Sequence, residues 1–413
     1  MKVTGVIAEY NPFHNGHEYQ LKELKKQTGS DYLIVAMSGD FLQRGVPAIL
    51  DKHTRAKMAL LNGADLVLEL PAVWATASAE YFATGGVSLL GATGVVNTIG
   101  YGVESENAAL RKELCKLLSS APKSYDEKLL SYQKEGLSFP LARASAACTL
   151  LPDFTMEEVT LFLAKPNNIL ALEYEKAIAK WNQAAGLPIE GRALLRRGDN
   201  YHDAEAHSVF ASATAIRNLL QEGRDITPFV PASVAAVLEI NRNNFIFPED
   251  ISALLYERLL VYKDMGYEGF ADCSAALSNK IAASIYAFRS FSQFCEYLKS
   301  KDLTYTRISR VLLHILLDIK KEDYNRKTPL DHPPYLRVLG FRNEAKDLLK
   351  EIKKEASAPL ITKVADASQI LSPSDYAFFK KDLFAADLYR GLHFPYSADS
   401  LLKNEFTQEI VIL

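Results

Sequence analysis

The chain has 413 residues, 48% hydrophobic and 23% charged, with a formal net charge of −3. That composition excludes a disordered chain, and the near balance of charge excludes a globally basic nucleic-acid binder while allowing a local basic face. The length exceeds one ordinary core, so two or three domains are expected.

Cys115, Cys148, Cys273 and Cys295 are far apart and form no C-x-x-C pair, which argues against a disulfide scaffold or a cysteine zinc site. Glu9 interrupts the opening apolar run, which is too short for a signal peptide. No stretch approaches the roughly 18–20 apolar residues needed to span a bilayer. The expectation is a cytoplasmic protein with reduced thiols and no membrane contact.

In chain order, "VTGVIAEY" reads as a buried strand and Glu18 to Gln27 as an amphipathic helix with Leu21 and Leu24 inward. "DYLIVAMSG" is a second buried strand, "HTRAKMALLNG" a helix closed by Gly63, and "ADLVLELP" a third strand ended by Pro71. This alternation predicts an α/β fold with a parallel sheet covered on both faces, and such sheets bind ligands at the carboxyl ends of their strands. Residues from about 105 to 165 read as a helical insertion, followed by a strand in "LPIEGRALLRRG" and a helix that begins at Ser212 or Thr214 and ends at Gly223. Beyond "DITPFVPASV" long helical patterns dominate, with a short strand expected in "YLRVLGF". The expected division is therefore a catalytic domain over 1–224 and a mainly helical domain over 225–413.

The chemistry concentrates in "NPFHNGH", the loop after the first strand. His14 and His17 stand at i, i+3 across Gly16, whereas zinc helices place two histidines at i, i+4. A helix start offers unpaired N–H groups and a positive dipole end, Gly16 leaves the backbone open, and two imidazoles can donate to phosphate oxygens. The plain alternative is that His17 caps the helix and His14 packs on Phe13. "SATAIR" then supplies Ser212 and Thr214 at another helix start and Arg217 on its first turn, a set that also suits phosphate.

H-x-G-H after the first strand, with S-x-T-x-I-R later, resembles the HIGH-type nucleotidyltransferase superfamily. More closely, the chain resembles the bacterial tRNA(Met) cytidine acetate ligase family. The matching stretches are "EYNPFHNGH", "MSGDFLQRGVPAILDK", "GADLVLELP", "YGVES", "KPNNILALEY", "RRGDNYHD", "SATAIR" and "YLRVLGF". The resemblance implies a Rossmann-like catalytic domain and a two-step reaction. ATP, with Mg²⁺ on its phosphates, and acetate give acetyladenylate; the acetyl group then passes to N4 of the wobble cytidine of elongator tRNA(Met), without acetyl-CoA. His14 and His17 are the implied catalytic pair, with no protein side chain assigned to a metal.

The implied ATP cradle is Ile7, Ala8, Glu9, Tyr10, Asn11, Pro12, Phe13, His14, Asn15, Gly16, His17, Glu18, Tyr19 and Gln20, completed by Gly102 and Asn167. One of Arg192, Arg196 and Arg197 joins it, as do Ser212, Thr214 and Arg217. "YGVES" departs from the family's usual F-G-S-E-S at Val103 while keeping Gly102. Gln43, Arg44, Lys52 and Arg55 follow the second strand near the same sheet edge, where they face substrate or RNA or else hold the loop, the first being favoured. Arg307, Arg310, Lys320, Lys321, Arg326, Lys327, Arg337 and Arg342 make 305–342 locally basic, as a tRNA-facing surface would be. A solvated helix face balanced by Asp318 and Glu322 is the other reading of that segment. A small-molecule nucleotidyltransferase shares both motifs; the long helical second half favours a macromolecular substrate. A non-catalytic RNA-binding protein is the third reading, against which the intact His14, Gly16 and His17 argue.

Overall fold

Five segments form parallel strands: β1 (Val3–Ala8), β2 (Tyr32–Ser38), β3 (Leu66–Leu70), β4 (Thr98–Val103) and β5 (Glu190–Leu195). Their order is β5-β4-β1-β2-β3, with every pairing parallel. The computed structural model describes residues 1–120, 122–185, 188–197, 209–301, 303–324, 334–394 and 402–413. The chain runs outward from β1 through β2 to β3, then returns to place β4 on the other side of β1. That reversal opens a crevice at the carboxyl end of β1, the switch point where α/β sheets take ligands. The first three strands lie where the sequence pattern places them. β4, with Gly100 and Gly102 inside it, gives too weak a pattern to read as a strand.

Side chains alternate along the strands into two cores. Val3, Ile34, Ala36 and Leu68 face one side; Val6, Leu33, Val35 and Val67 face the other. On the second face lie α1 (Asn15–Thr28), through Leu21 and Leu24, and α2 (Lys52–Leu61), through Ala56 and Ala59. The first face is covered by the short α3 (Ala72–Ala75), α4 (Ala79–Gly91) and, beyond an insertion, α9 (Pro166–Ala185). The expected helical insertion comprises α5 (Ala108–Ser120), α6 (Lys123–Lys134), α7 (Phe139–Leu150) and α8 (Met156–Ala164). It has its own small core around Leu110, Leu114, Tyr125 and Phe162.

The described residues beyond are mainly helical: α10 (Ala213–Gln221), α12 (Ser252–Tyr262), α13 (Ala275–Ser284) and α15 (Tyr305–Leu317) fall where the patterns predict helices, and α11 (Ala232–Ile240) and α14 (Phe291–Leu298) lie between them. Then come α16 (Lys346–Glu355), α17 (Ala367–Ile370) and α18 (Pro373–Gly391). "YLRVLGF" forms β6 (Leu336–Phe341), which adds to the sheet antiparallel to β3; β7 (Leu360–Ile361) and β8 (Val411–Ile412) pair with it in parallel. Residues on both sides of 225 share one apolar cluster, in which Leu66 and Leu68 join Leu312, Leu336 and Phe379. Position 225 therefore divides the chain by composition, not by core. Among the described residues no helix is long and apolar enough to cross a membrane.

Candidate nucleotide-binding site

The loop after β1 turns sharply. Tyr10 has φ 49 and the Asn11–Pro12 peptide is cis. Arg55 of α2, fully buried, ties this loop to the segment after β2: it donates to the carbonyl oxygens of Glu9 at 2.6 Å, Leu50 at 2.9 Å, Ser38 at 3.2 Å, and Gly39. The Asn11 side chain accepts from the Ile49 N–H at 2.7 Å, and Arg217 of α10 donates to the Asn11 carbonyl at 2.7 Å. These bonds fix the path into α1.

His14 is the N-cap of α1. Its Nδ1 accepts from the Gly16 N–H at 3.1 Å, while His17 Nδ1 accepts from the His14 N–H at 3.3 Å, closing a reciprocal capping box. The two rings stack at 3.7 Å between centroids, with Tyr10 edge-on to His17 at 4.8 Å. A Cβ on Gly16 would lie 2.9 Å from His14 Cε1, so the glycine makes room for the ring. With both Nδ1 atoms accepting, the proton of each neutral ring is assigned to Nε2.

Burial pushes His14 down to about 3, with the positive charges of Arg196 and Arg217 adding to the effect. His17 is held well below the ordinary histidine range by burial, then by His14 and Arg196. Near neutral pH both are neutral donors, and an arriving phosphate reverses the electrostatic part of those shifts. Capping and anion binding are thus compatible, because each ring uses one nitrogen for the helix and keeps the other for a ligand.

The backbone N–H groups of α1 are committed. Asn15 N–H reaches the Phe229 carbonyl at 3.0 Å, and the N–H groups of His17 and Glu18 reach the His14 carbonyl at 2.9 and 3.1 Å. The open helix start belongs to α10, whose first residues Ala213 and Thr214 line the cleft. Ser212 is its N-cap, buried and accepting from the Ala215 N–H at 3.0 Å. Arg217 also donates to Thr214 Oγ1 at 3.1 Å and lines the cleft.

The cleft encloses about 1060 Å³, including its open mouth. From the expected cradle it brings together Ile7, Ala8, Glu9, Tyr10, Asn11, His14, His17, Gln20, Gly102, Asn167, Arg196, Thr214 and Arg217. Gly16, Tyr19 and Arg197 line a smaller pocket beside it, where Arg197 lies over the Tyr19 ring at 4.8 Å. Among the described residues no group of three or more His, Cys, Asp or Glu side chains is arranged to hold a metal ion.

With this geometry in place, the sequence matches the HIGH nucleotidyl transferase family over residues 1–404. Relatives named tRNA(Met) cytidine acetate ligase include one from Clostridium novyi (strain NT), 36% identical over 388 residues, which are 92% of this chain and 95% of the relative. Another, from Thermoanaerobacter sp. (strain X514), is 37% identical over 394 residues, 94% of this chain and 95% of the relative. Thermotoga maritima TmcAL in its apo form has a TM-score of 0.91 at 33% identity over 100% of both chains. The same protein bound with alpha-thio ATP has a TM-score of 0.89, also at 33% identity over 100% of both chains. The chain belongs to the tRNA(Met) cytidine acetate ligase family of HIGH nucleotidyl transferases.

Within that family cleft, Arg196 is the arginine of the "LLRRG" stretch that faces inward. Arg192 lies mid-strand in β5 and is exposed. Pro12 and Phe13 are buried behind the loop, Asn15 ties α1 to the Val209 and Pro228 carbonyls, and Glu18 pairs with Lys22 on the surface. The segment of "RRGDNYHD" from 198 onward lies outside the described residues. Sequence reasoning missed the apolar lining: Leu42, Val46, Phe82, Tyr101, Leu170 and Tyr174. Two of these were readable, because Asn167, Leu170 and Tyr174 follow i, i+3, i+7 on one face of α9.

Three residues expected to meet RNA do not face solvent. Lys52 (1% exposed), Arg55 (0%) and Arg337 (2%) are buried. Lys52 Nζ lies 2.8 Å from Glu69, 3.3 Å from Glu405 and 3.6 Å from Asp40, while Arg337 pairs with Glu69 at 2.7 Å and with Glu405. Burying a lone charge is prohibitive, so Lys52 and Arg337 are retained because acids surround them, and Arg55 because backbone carbonyls do. Arg307 and Arg310 share Asp272, at 3.3 and 2.8 Å, and Arg44 lines the cleft itself. Arg326 and Lys327 lie outside the described residues.

Proposed function

We propose that this protein is an ATP-dependent ligase that activates acetate as acetyladenylate and transfers the acetyl group to N4 of the wobble cytidine of elongator tRNA(Met). The observation that carries the reading is the convergence of neutral His14 and His17, Arg196, Arg217 and the start of α10 over the end of β1. The relatives' name supplies acetate and the tRNA as substrates, and the binding of alpha-thio ATP by the Thermotoga maritima relative supports the nucleotide.

In the first step an acetate oxygen forms a bond to the α-phosphorus, the bond to the bridging oxygen breaks, and pyrophosphate leaves. Acetate is ionised at neutral pH and needs no base. The Nε2–H groups of His14 and His17 donate where negative charge builds on the α-phosphate, and Arg217 with α10 balances the departing pyrophosphate. Gly102, Asn167 and Arg196 hold the nucleoside end. Mg²⁺ would take its ligands from phosphate oxygens and water. In the second step the cytidine amine attacks the acyl carbon, the C–N bond forms, AMP leaves with the C–O electron pair, and N4 loses a proton. An unpaired anticodon base can enter such a cleft at low cost. Arg307 and Arg310 on α15 are the proposed phosphate contacts of the helical half, and a cytoplasmic setting follows from the tRNA substrate.

The test is to incubate the protein with ATP, labelled acetate and unmodified elongator tRNA(Met), without acetyl-CoA. Label on the wobble cytidine supports the reading. Pyrophosphate release that is indifferent to acetate and tRNA contradicts it and favours a small-molecule nucleotidyltransferase.

A further inference from the structure

Most of the cleft's polar groups are accounted for by the nucleotide, and they lie at β1 or on its β4–β5 side and at α10. The β2 side is different. There residues 41–47 form a tight turn: Phe41 bridges Pro47, the Leu42 N–H reaches the Val46 carbonyl at 3.0 Å, and the Gly45 N–H reaches the Leu42 carbonyl at 2.9 Å. The turn is anchored at both ends of the cleft wall. Glu9 accepts from the Gln43 N–H at 2.8 Å, and Ser309 of α15 donates to the Gly45 carbonyl at 3.0 Å. Gly45 has φ +79, and a Cβ there would collide with the Arg310 backbone nitrogen, so the turn lies directly on the α15 backbone.

This rigid turn presents a third arginine, Arg44, to the cleft beside an apolar wall of Leu42, Val46 and Phe82. Leu42 and Phe82 are buried, and Val46 packs on the core that contains Phe41 and Phe82. A hydrocarbon wall is a poor surface for phosphate or ribose, but one guanidinium beside it matches a short carboxylic acid: charge at one end, alkyl group at the other. Arg44 stands on the opposite side of β1 from Arg196, so an acid held there lies across the cleft from the nucleoside end.

We propose that the 41–47 turn and Phe82 form the seat of the carboxylic acid co-substrate, with Arg44 holding the carboxylate and Leu42, Val46 and Phe82 limiting the acyl chain to a short one. This rests on the ligase reading above. Arg44 offsets the repulsion between the acid and the triphosphate, leaving one carboxylate oxygen to attack the α-phosphorus. Selection against longer acids is steric, and a single methylene in such a pocket shifts specificity by about ten-fold or more.

Acid-dependent ATP–pyrophosphate exchange, which needs no tRNA, tests the seat with acetate, propionate and butyrate. The wild type should prefer acetate. Arg44→Gln should raise KM for acetate by about ten-fold while KM for ATP stays within about two-fold, and Arg44→Lys should recover part of the loss. Val46→Ala should raise the propionate-to-acetate ratio of kcat/KM by about ten-fold. An unchanged acetate KM in Arg44→Gln, with a raised KM for tRNA in the full reaction, overturns the seat and assigns the arginine to RNA. An unchanged acid ratio in Val46→Ala overturns the apolar wall. A wild type whose exchange ignores acetate overturns the ligase reading itself.

Discussion

Replacing His14 by asparagine and, separately, by alanine divides its two roles. His14 Nδ1 caps α1 through the Gly16 N–H while its ring stacks on His17 at 3.7 Å. Asparagine is among the best N-caps, so His14→Asn keeps the bond to the helix and loses only the ring contact, an expected cost of about 1 kcal/mol. Alanine loses the cap as well, which adds about 1 kcal/mol. Neither side chain places a donor where His14 Nε2–H stands. Losing one donor aimed at developing charge costs about 10²–10³ in rate, so both variants should lose acetate-dependent ATP–pyrophosphate exchange to a similar degree. Urea unfolding measures the first effect and exchange kinetics the second. If His14→Asn regains most of the activity, or activity follows stability across the pair, the histidine is a cap and no more.

Other consequences can be checked on the same footing. Arg55→Met removes the donor for four carbonyls, three of these bonds buried and one part-buried, and should destabilise the fold by about 3–5 kcal/mol in urea unfolding; a loss below about 1 kcal/mol would contradict the clamp. Gly45→Ala forces a Cβ onto the Arg310 backbone at positive φ, so it should cost about 1–3 kcal/mol and lower acetate-dependent exchange more than ATP binding. His14 (about 3), His53 (about 4), His17, His314 and His393 all titrate below the ordinary 6.5 because burial disfavours their charged forms. Their folded pKa values lie below the unfolded one, so this stability is present above pH 6.5 and is lost as pH falls, toward 3 for His14 and 4 for His53, each of which costs about 1 kcal/mol over the first unit. Asp382, raised to about 6 by burial, and Asp40, also raised by burial, oppose the trend as two groups against five, so urea midpoints of the apo protein should fall between pH 7 and 5; a flat profile would refute the assignment.

The parts legible in the sequence were those set by local pattern. Continuous apolar runs bounded by Gly and Pro gave β1, β2 and β3, and the alternation with helices gave the covered sheet and its ligand edge. The histidine pair was legible as part of a candidate site, because residue type, spacing and a strand-to-helix turn coincide within a few positions, and both rings line the cleft. Which of Arg192, Arg196 and Arg197 lines the main cleft was not, since side-chain direction depends on where β5 ends: Arg192 pairs mid-strand with Gly100, whereas the Arg196 N–H closes on the Val103 carbonyl just past the strand. Ser212 was placed correctly at a helix start, but its hydroxyl serves the Ala215 N–H rather than the cleft.

The buried cations mark where one-dimensional reading fails for a physical reason. Lys52, Arg55 and Arg337 look like a basic surface because their partners are elsewhere in the chain: Glu69 on β3, Glu405 near the end, and carbonyls at Glu9 and Ser38. A charge is free or committed only in three dimensions, and the cost of burying it unpaired ensures that a buried one is committed. The consequence reaches the site. Lys52 and Arg55 start the helix beneath the 41–47 turn, Arg55 holds the β1 and β2 loops by their carbonyls, and Lys52 ties β3 to the segment carrying Glu405. Residues that read as RNA contacts in the sequence instead fix the geometry of the cleft that His14, His17 and Arg44 line.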